Sequence, residues 1–498
     1  MANNLMSTKM YLWSLLWPKR LFSPSGGGLE ILSIAGINIV RMVSVFKMTM
    51  NLKKIGFNIF SANRKVFIPL LLKHLFLEAV VAWVDMTSSF LSRKLAIRLK
   101  KKLTEILHQK YFTNQNYYHV EREFSNVDST MIGDVSAVSS GIANYYSGMC
   151  DAGLRGCIFG FLSLQQFISQ FGIINGSLLA SAPFVHVIFT RWLVEKVSPL
   201  DWVAFGTLSE AQGEYRSQQT RLVVHAEAIS ALRGGAREGS LLQGLRKTII
   251  DLERVLYESF TKHLSWNTAF MNYGLHVTVI TIVCGPAVFG RKHRMDLESF
   301  RSKRGTLNYQ FMLCLQVLVA AWNLSQQMME LNKIEGEGSR IRKLIGVLDK
   351  LTATDFSSGG EHFASGDRLA FDSVDVVTPT GNLLVKDLSF SLEAENDSLL
   401  LTGHNGAGKS SIFRCLAGLW NVPTGKITKP NANHVYYLPQ KPYNVIGTLF
   451  DQLAYPDRGG GKGGLTREYA GNILARVGLQ YLTERQGVFE RDTNWEET

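Results

Sequence analysis

Three long stretches of the chain contain no aspartate, glutamate, lysine or arginine: residues 156–190, 264–290 and 305–329. A bilayer crossing needs about 20 apolar residues in a helix, so the second and third suffice for one crossing each. The first exceeds one crossing, and its cluster Gly172-Ile173-Ile174-Asn175-Gly176-Ser177 reads as a turn between two helices. Two earlier apolar stretches carry charges. Residues 29–50 hold Glu30, Arg41 and Lys47, and residues 66–90 hold Lys73, Glu78 and Asp85. Such charges are costly in a membrane unless they face a bundle interior or a water-filled cavity. The pattern predicts six spans, at about 29–50, 66–90, 154–172, 175–195, 264–290 and 305–329, with a luminal turn at 172–177. Between the second and third spans, and across 196–263, the chain is polar with helical periodicity.

After a Ser-, Gly- and charge-rich linker at 351–366 the pattern changes period. Residues 370–377 and 383–392 read as two strands around Pro379-Thr380-Gly381. The apolar run Ser398-Leu399-Leu400-Leu401-Thr402 reads as a buried strand. Apolar positions at helical spacing follow from Ser411 to Leu416, with Gly418 as the stop. Between run and helix lies Gly403-His404-Asn405-Gly406-Ala407-Gly408-Lys409-Ser410-Ser411, which fits G-x-x-x-x-G-K-[ST]. Strand, glycine loop and helix form the arrangement that phosphate binding needs. Glycines let successive backbone N–H groups face an anion, and the helix N-terminus adds partial positive charge. Lys409 is expected to reach the β- and γ-phosphates of ATP, and the Ser410 hydroxyl to ligate Mg²⁺.

The net charge is +12. Alone it admits nucleic acid, an anionic membrane face or an anionic substrate; the apolar stretches favour the last two over nucleic acid. Arginines and lysines at 93–102, beside the second span, place that end on the cytosolic side. The basic loop 291–304 falls on the opposite side in a six-span topology, against the usual bias. Five cysteines (Cys150, Cys157, Cys284, Cys314, Cys415) have no metal-ligand spacing and read as small packing residues. The aromatic run at 11–17 ends at Pro18-Lys19-Arg20 without a cleavage site, so the first 27 residues read as an amphipathic segment on the membrane surface.

Four stretches resemble the ABC half-transporters of subfamily D, the peroxisomal fatty-acyl transporters. They are Tyr111-Phe112-Thr113-Asn114-Gln115-Asn116-Tyr117-Tyr118; Asn126-Val127-Asp128-Ser129 with Asp134-Val135; Glu210-Ala211-Gln212-Gly213-Glu214-Tyr215-Arg216 with Arg221 and Glu227; and Tyr437-Leu438-Pro439-Gln440-Lys441-Pro442-Tyr443 through Asp457. The resemblance implies a six-span α-helical domain of ABC exporter type followed by an α/β P-loop nucleotide-binding domain. It makes the segment with Glu210, Gly213, Glu214, Arg221 and Glu227 a coupling loop. It makes Gln440 the Q-loop residue, a second Mg²⁺ ligand that also touches the membrane-domain interface. It implies a second half-transporter as partner, a peroxisomal or glycosomal membrane, and a fatty acid or fatty acyl-CoA as cargo. A lysosomal cobalamin relative, a bacterial-type peptide permease and a non-hydrolysing ATP-binding membrane subunit remain open alternatives.

Three departures accompany the resemblance. No adenine-stacking aromatic is evident near Thr378-Pro379-Thr380, and Asp151-Ala152 stands where many members carry Lys-Pro. The residues 492–498 resemble the segment directly before the L-S-G-G signature. The nucleotide domain is therefore expected to be incomplete, without signature loop, Walker B pair or switch histidine, and the chain to bind ATP without hydrolysing it at a normal rate.

Overall fold

A computed structural model describes residues 28–58, 64–124, 126–199, 202–274, 277–281, 297–353, 362–393, 397–431, 434–440, 443–456, 466–485 and 487–495. The N-terminal run at 11–17, residues 275–276 and 282–290 of the fifth predicted span and the start of the loop 291–304 lie outside them. The chain divides into two compact units, Met1–Thr354 and Asp355–Thr498.

The first unit is helical. Its elements are α1 (Gly28–Asn58), α2 (Arg64–Phe112), α3 (Asn116–Glu123), α4 (Val135–Phe171), α5 (Ile173–Val197), α6 (Trp202–Val224), α7 (Ala226–Ala231), α8 (Gly235–Asn267) and α9 (Leu297–Ala353). Helix α1 buries Ile31, Ile34, Asn38, Met42, Val45 and Thr49, one stripe at spacings of three and four. Met42 and Val45 pack with Phe159 of α4 and Tyr309, Leu313 and Val317 of α9. Helix α2 continues without a break from its apolar part through the basic stretch at 93–102.

The outward faces of these helices are as apolar as their inward ones, unlike those of a water-soluble bundle. On α2 the inward side includes Ser88 and Ser92, which meet Ser147 Oγ at 3.4 Å and Asn144 Oδ1 at 3.3 Å. Its outward side carries Leu72, Phe76, Trp83, Met86 and Phe90, each at least 60% exposed. On α5 the inward residues are Gly176, Ala180, Pro183 and Thr190, while Ile174, Leu178, Val185 and Ile188 face outward. Large apolar residues outside, with small or hydroxylated ones set among the apolar residues inside, suit lipid as the surrounding medium. Three described helices are long and apolar enough to cross a membrane, within Gly28–Ile55, Arg64–Glu123 and Ile173–Val197.

The predicted hairpin between the third and fourth spans is present, with a sharper turn than expected. Only Gly172 leaves the helix, at φ 78°, and Asn175 to Ser177 already belong to α5. The helices then fold back on one another: a Cβ on Gly160 would lie 3.4 Å from the Phe184 ring, and one on Gly176 2.6 Å from the Ile168 backbone. Gly176→Ala is therefore expected to pry α4 from α5 and to cost about 1–3 kcal/mol, as overpacking generally does. A lowered midpoint of thermal unfolding in detergent will report it; an unchanged midpoint contradicts this packing.

The second unit holds a sheet ordered β1-β4-β2-β3, with β1 (Phe363–Ser365), β2 (Leu369–Val377), β3 (Leu383–Leu392) and β4 (Lys426–Lys429). Strands β2 and β3 form the expected antiparallel hairpin, with Phe371 stacked on Phe390. Two corrections to the sequence reading arise here. Phe363–Ser365, placed in the linker, is a strand running parallel to β4. The run from Ser398 to Thr402 is not a buried strand: no described strand pairs with it, and Leu399 and Leu400 are 46% and 83% exposed. A strand needs a ladder partner as much as an apolar sequence. A second small cluster joins Leu449, Leu474 and Val488 through α11 (Leu449–Ala454) and α12 (Arg467–Arg476), which follow α10 (Lys409–Leu416).

Candidate functional site

The glycine loop and α10 have the geometry that the sequence implies. Gly403, Gly406 and Gly408 stand at φ 148°, 86° and 92°, in backbone regions that side-chain-bearing residues rarely adopt. A Cβ on Gly408 would also press on Leu384 and Val385 of β3 at 3.4 Å. Helix α10 starts at Lys409 and buries Ser411, Ile412, Cys415 and Leu416. That anchoring fixes its N-terminus toward the loop. Burial also pushes the Cys415 thiol up to about 11, so it packs as a neutral group. Gly418, at φ 73°, ends the helix as expected, and Leu419 N–H donates to the Arg414 carbonyl at 2.8 Å.

The Lys409 ammonium donates to the carbonyls of Gly403 at 2.5 Å and His404 at 2.8 Å. It thus lies across the loop between the glycines and the helix. His404, Asn405 and Ser410 are exposed, and Ala407 is half-buried. Gln440 is exposed too. The residues Gly403 to Ser411 form one continuous loop and helix start, and no hydrogen bond among the described residues ties Gln440 to it. Thr448 caps α11 in a reciprocal box with Asp451, whose carboxyl those hydrogen bonds hold below the usual carboxylate range. The pattern T-x-x-D at 448–451 is legible in sequence.

In the helical unit the resembling segments converge. A Cβ on Gly213 of α6 would lie 2.8 Å from Asn126 Nδ2. Glu210 and Glu214 line a polar cavity of about 650 Å³ with Asn126, Ser129, Arg340 and Lys343. Asp134 pairs with Arg340. Burial pushes the Asp134 carboxyl up, against the opposing pull of Arg340 and Thr130. Arg221 and Glu227 are exposed and do not line that cavity, and α6 ends at Val224, before Glu227. Of the five coupling-loop residues, the structure groups Glu210, Gly213 and Glu214 and leaves the other two apart. Arg340 and Lys343, absent from the sequence reading, complete the group; the helical phase of α9 alone does not show which cations face the cavity.

Four of the charges inside the first two predicted stretches, Glu30, Arg41, Glu78 and Asp85, have partners. Glu30, 4% exposed, accepts from Arg98 Nη1 at 2.7 Å. Arg41 meets Asp85 at 2.6 Å and also pairs with Asp151. Asp151 further accepts from Arg155 Nη2 at 3.4 Å and Asn323 Nδ2 at 3.1 Å, and Arg155 Nη1 donates to Gln316 Oε1 at 2.6 Å. Helices α1, α2, α4 and α9 thus share a network of two arginines, two aspartates and two amides. Asp151, which stands where many members of the resembling family carry a lysine, lies between the guanidiniums of Arg41 and Arg155, which offset its charge. No group of three or more metal-ligating side chains occurs among the described residues.

Comparison with known proteins agrees with this division. Residues 22–289 match the family ABC transporter transmembrane region 2, and residues 385–487 match the family ABC transporter, which implies ATP binding. The chain is 30% identical over 456 residues to ABC transporter D family member 1 of Arabidopsis thaliana, covering 88% of this chain and 33% of that protein. It is 25% identical over 450 residues to ATP-binding cassette sub-family D member 3 of Mus musculus, covering 84% and 66%. It is 24% identical over 504 residues to ABC transporter D family member 2 of Dictyostelium discoideum, covering 85% and 65%. The chain spans about a third of the plant relative and about two thirds of the other two. With a helical unit built for lipid surroundings and a glycine loop opening a helix, it is a membrane protein of the ABC transporter family, subfamily D.

Proposed function

We propose that this protein is a half-transporter which, as a dimer, uses ATP to move long-chain fatty acids or fatty acyl-CoA across a peroxisomal or glycosomal membrane. The observation that carries this reading is the occurrence, in one chain and in this order, of the lipid-adapted helical unit and the loop Gly403 to Ser411. In that role the loop N–H groups and Lys409 hold the ATP phosphates, and Ser410 with Gln440 supplies oxygen ligands to Mg²⁺. Glu210, Gly213, Glu214, Arg221 and Glu227 form the coupling loop. ATP binding closes two nucleotide domains and turns a cavity between six spans per half from one face to the other. The pairing of Asp151 with Arg41 and Arg155 removes the charge conflict that an unpaired Asp151 would pose to an anionic cargo.

Two experiments test the proposal. Acyl-CoA added to organelle membranes carrying the protein with its nucleotide domain extended through signature loop, Walker B pair and switch histidine is expected to stimulate ATPase activity, and peptides or cobalamin are not; the 498-residue chain by itself is expected to bind ATP with little phosphate release. Stimulation by peptides or cobalamin alone would replace the cargo assignment. For topology, tags beside Glu214 and within 93–102 are expected to be digested by protease added to intact organelles, and a tag at Gly172 to be protected. A protected tag beside Glu214 would remove its coupling role.

A further inference from the structure

We infer that a second cavity of the helical unit, about 750 Å³ in volume, binds a zwitterionic phospholipid of the cytosolic leaflet. It lies between α6, α8 and α9 and has two unlike ends. Helix α8 runs toward the uncharged stretch that begins at Leu264, and α9 leaves its own uncharged stretch at Met329. Met329, at the end of one stretch, and Phe260, four residues before the other, line the cavity. Arg254 lies about 9 Å before Phe260 along α8, and Lys333 about 6 Å beyond Met329 along α9, at 1.5 Å per residue. The apolar end therefore points into the hydrocarbon and the charged end lies at headgroup depth. Tyr257, between them, is a residue type favoured at that boundary.

The charged end is balanced. Glu253 and Glu330 line it with Arg254 and Lys333, and Gln212 Nε2 holds Glu253 by a 3.2 Å hydrogen bond. Two cations and two anions complement a head that carries both a phosphate and an amine. A polyanionic head would meet two carboxylates as well as two cations, which selects against it. The volume falls in the range of small-ligand clefts, about 300–1,000 Å³, enough for the head and glycerol end of the lipid while its acyl chains stay in the bilayer. The inference rests on the membrane setting of these helices, not on the identity of the cargo.

The test uses the purified full chain in nanodiscs containing a trace of photoactivatable phosphatidylethanolamine. Labelling is expected on peptides covering 250–260 and 326–333. Unlabelled phosphatidylethanolamine should compete it away, and oleoyl-CoA should not. Arg254→Glu with Lys333→Glu is expected to lower labelling there at least tenfold, while labelling of the outward face of α2 stays unchanged and reports intact folding. Glu330→Lys with Lys333→Glu keeps the balance and should retain labelling. Labelling no stronger here than on α2 would overturn the inference. So would competition by oleoyl-CoA equal to that of phosphatidylethanolamine, which would give the cavity to the cargo.

Discussion

Replacing Asp151 with leucine is expected to destabilise the helical unit by about 3–5 kcal/mol, the usual cost of removing one partner from a buried ion pair. Asp151 is 5% exposed and Arg155 6% exposed, so water cannot take over the guanidinium once the carboxylate is gone. Arg41 would retain Asp85. Arg155 would retain only Gln316, a neutral partner, for its Nη1. Removing both charges of the α4 pair should recover much of the loss, because Asp151→Leu with Arg155→Leu leaves the Arg41–Asp85 pair balanced. With Arg155→Leu as the second single variant, the two singles and the double define a cycle in which the pair's coupling is read directly. Thermal unfolding in detergent, with yield of monodisperse protein, measures it. A single variant as stable as wild type, or a double variant as impaired as the single, would show that the network does not bear on stability.

Lys409→Ala is expected to weaken ATP binding roughly 10- to 150-fold, the equivalent of about 1.5–3 kcal/mol for a charge-assisted hydrogen bond. The ammonium is already placed over the loop by the Gly403 and His404 carbonyls, so little ordering remains to be done when a phosphate replaces them. Arg414, which lies over the Trp420 ring at 5.2 Å, is on the same helix but does not take part. Arg414→Ala therefore serves as a control expected to bind ATP normally. Photo-crosslinking of ATP to the three proteins decides it. Equal labelling of Lys409→Ala and wild type would remove the loop from the account.

Local pattern was enough for some elements and not for others. The β2–β3 hairpin was legible because alternation and a Pro-Thr-Gly turn are encoded within about twenty neighbouring residues. The phosphate loop was legible because three glycines at fixed spacing have a direct backbone consequence, seen at φ 148°, 86° and 92°. The run from Ser398 to Thr402 misled because strand formation depends on a partner that the run itself does not specify. Strand β1 was hidden for the same reason: Phe363–Ser365 is short, and what makes it a strand is β4, more than sixty residues later. Asp151 carried a signal as an acid at the position where many members of the resembling family carry a lysine. Its meaning depended on Arg41 in α1 and Asn323 in α9, and no periodicity within α4 reports those contacts. The grouping of Gly213 with Asn126 and Arg340 is likewise tertiary.

The central claim is that this subfamily D protein couples ATP at the Lys409 loop to movement of an acyl cargo through its membrane unit. The most direct measurement is uptake of radiolabelled acyl-CoA and fatty acid by isolated organelles from cells lacking the endogenous protein and expressing the chain extended by a complete nucleotide domain, either with Lys409 (wild type) or as Lys409→Ala. The account predicts ATP-dependent accumulation with wild type and background accumulation with Lys409→Ala at equal protein level. Equal accumulation with the two proteins, or none with wild type across acyl chain lengths, would contradict it.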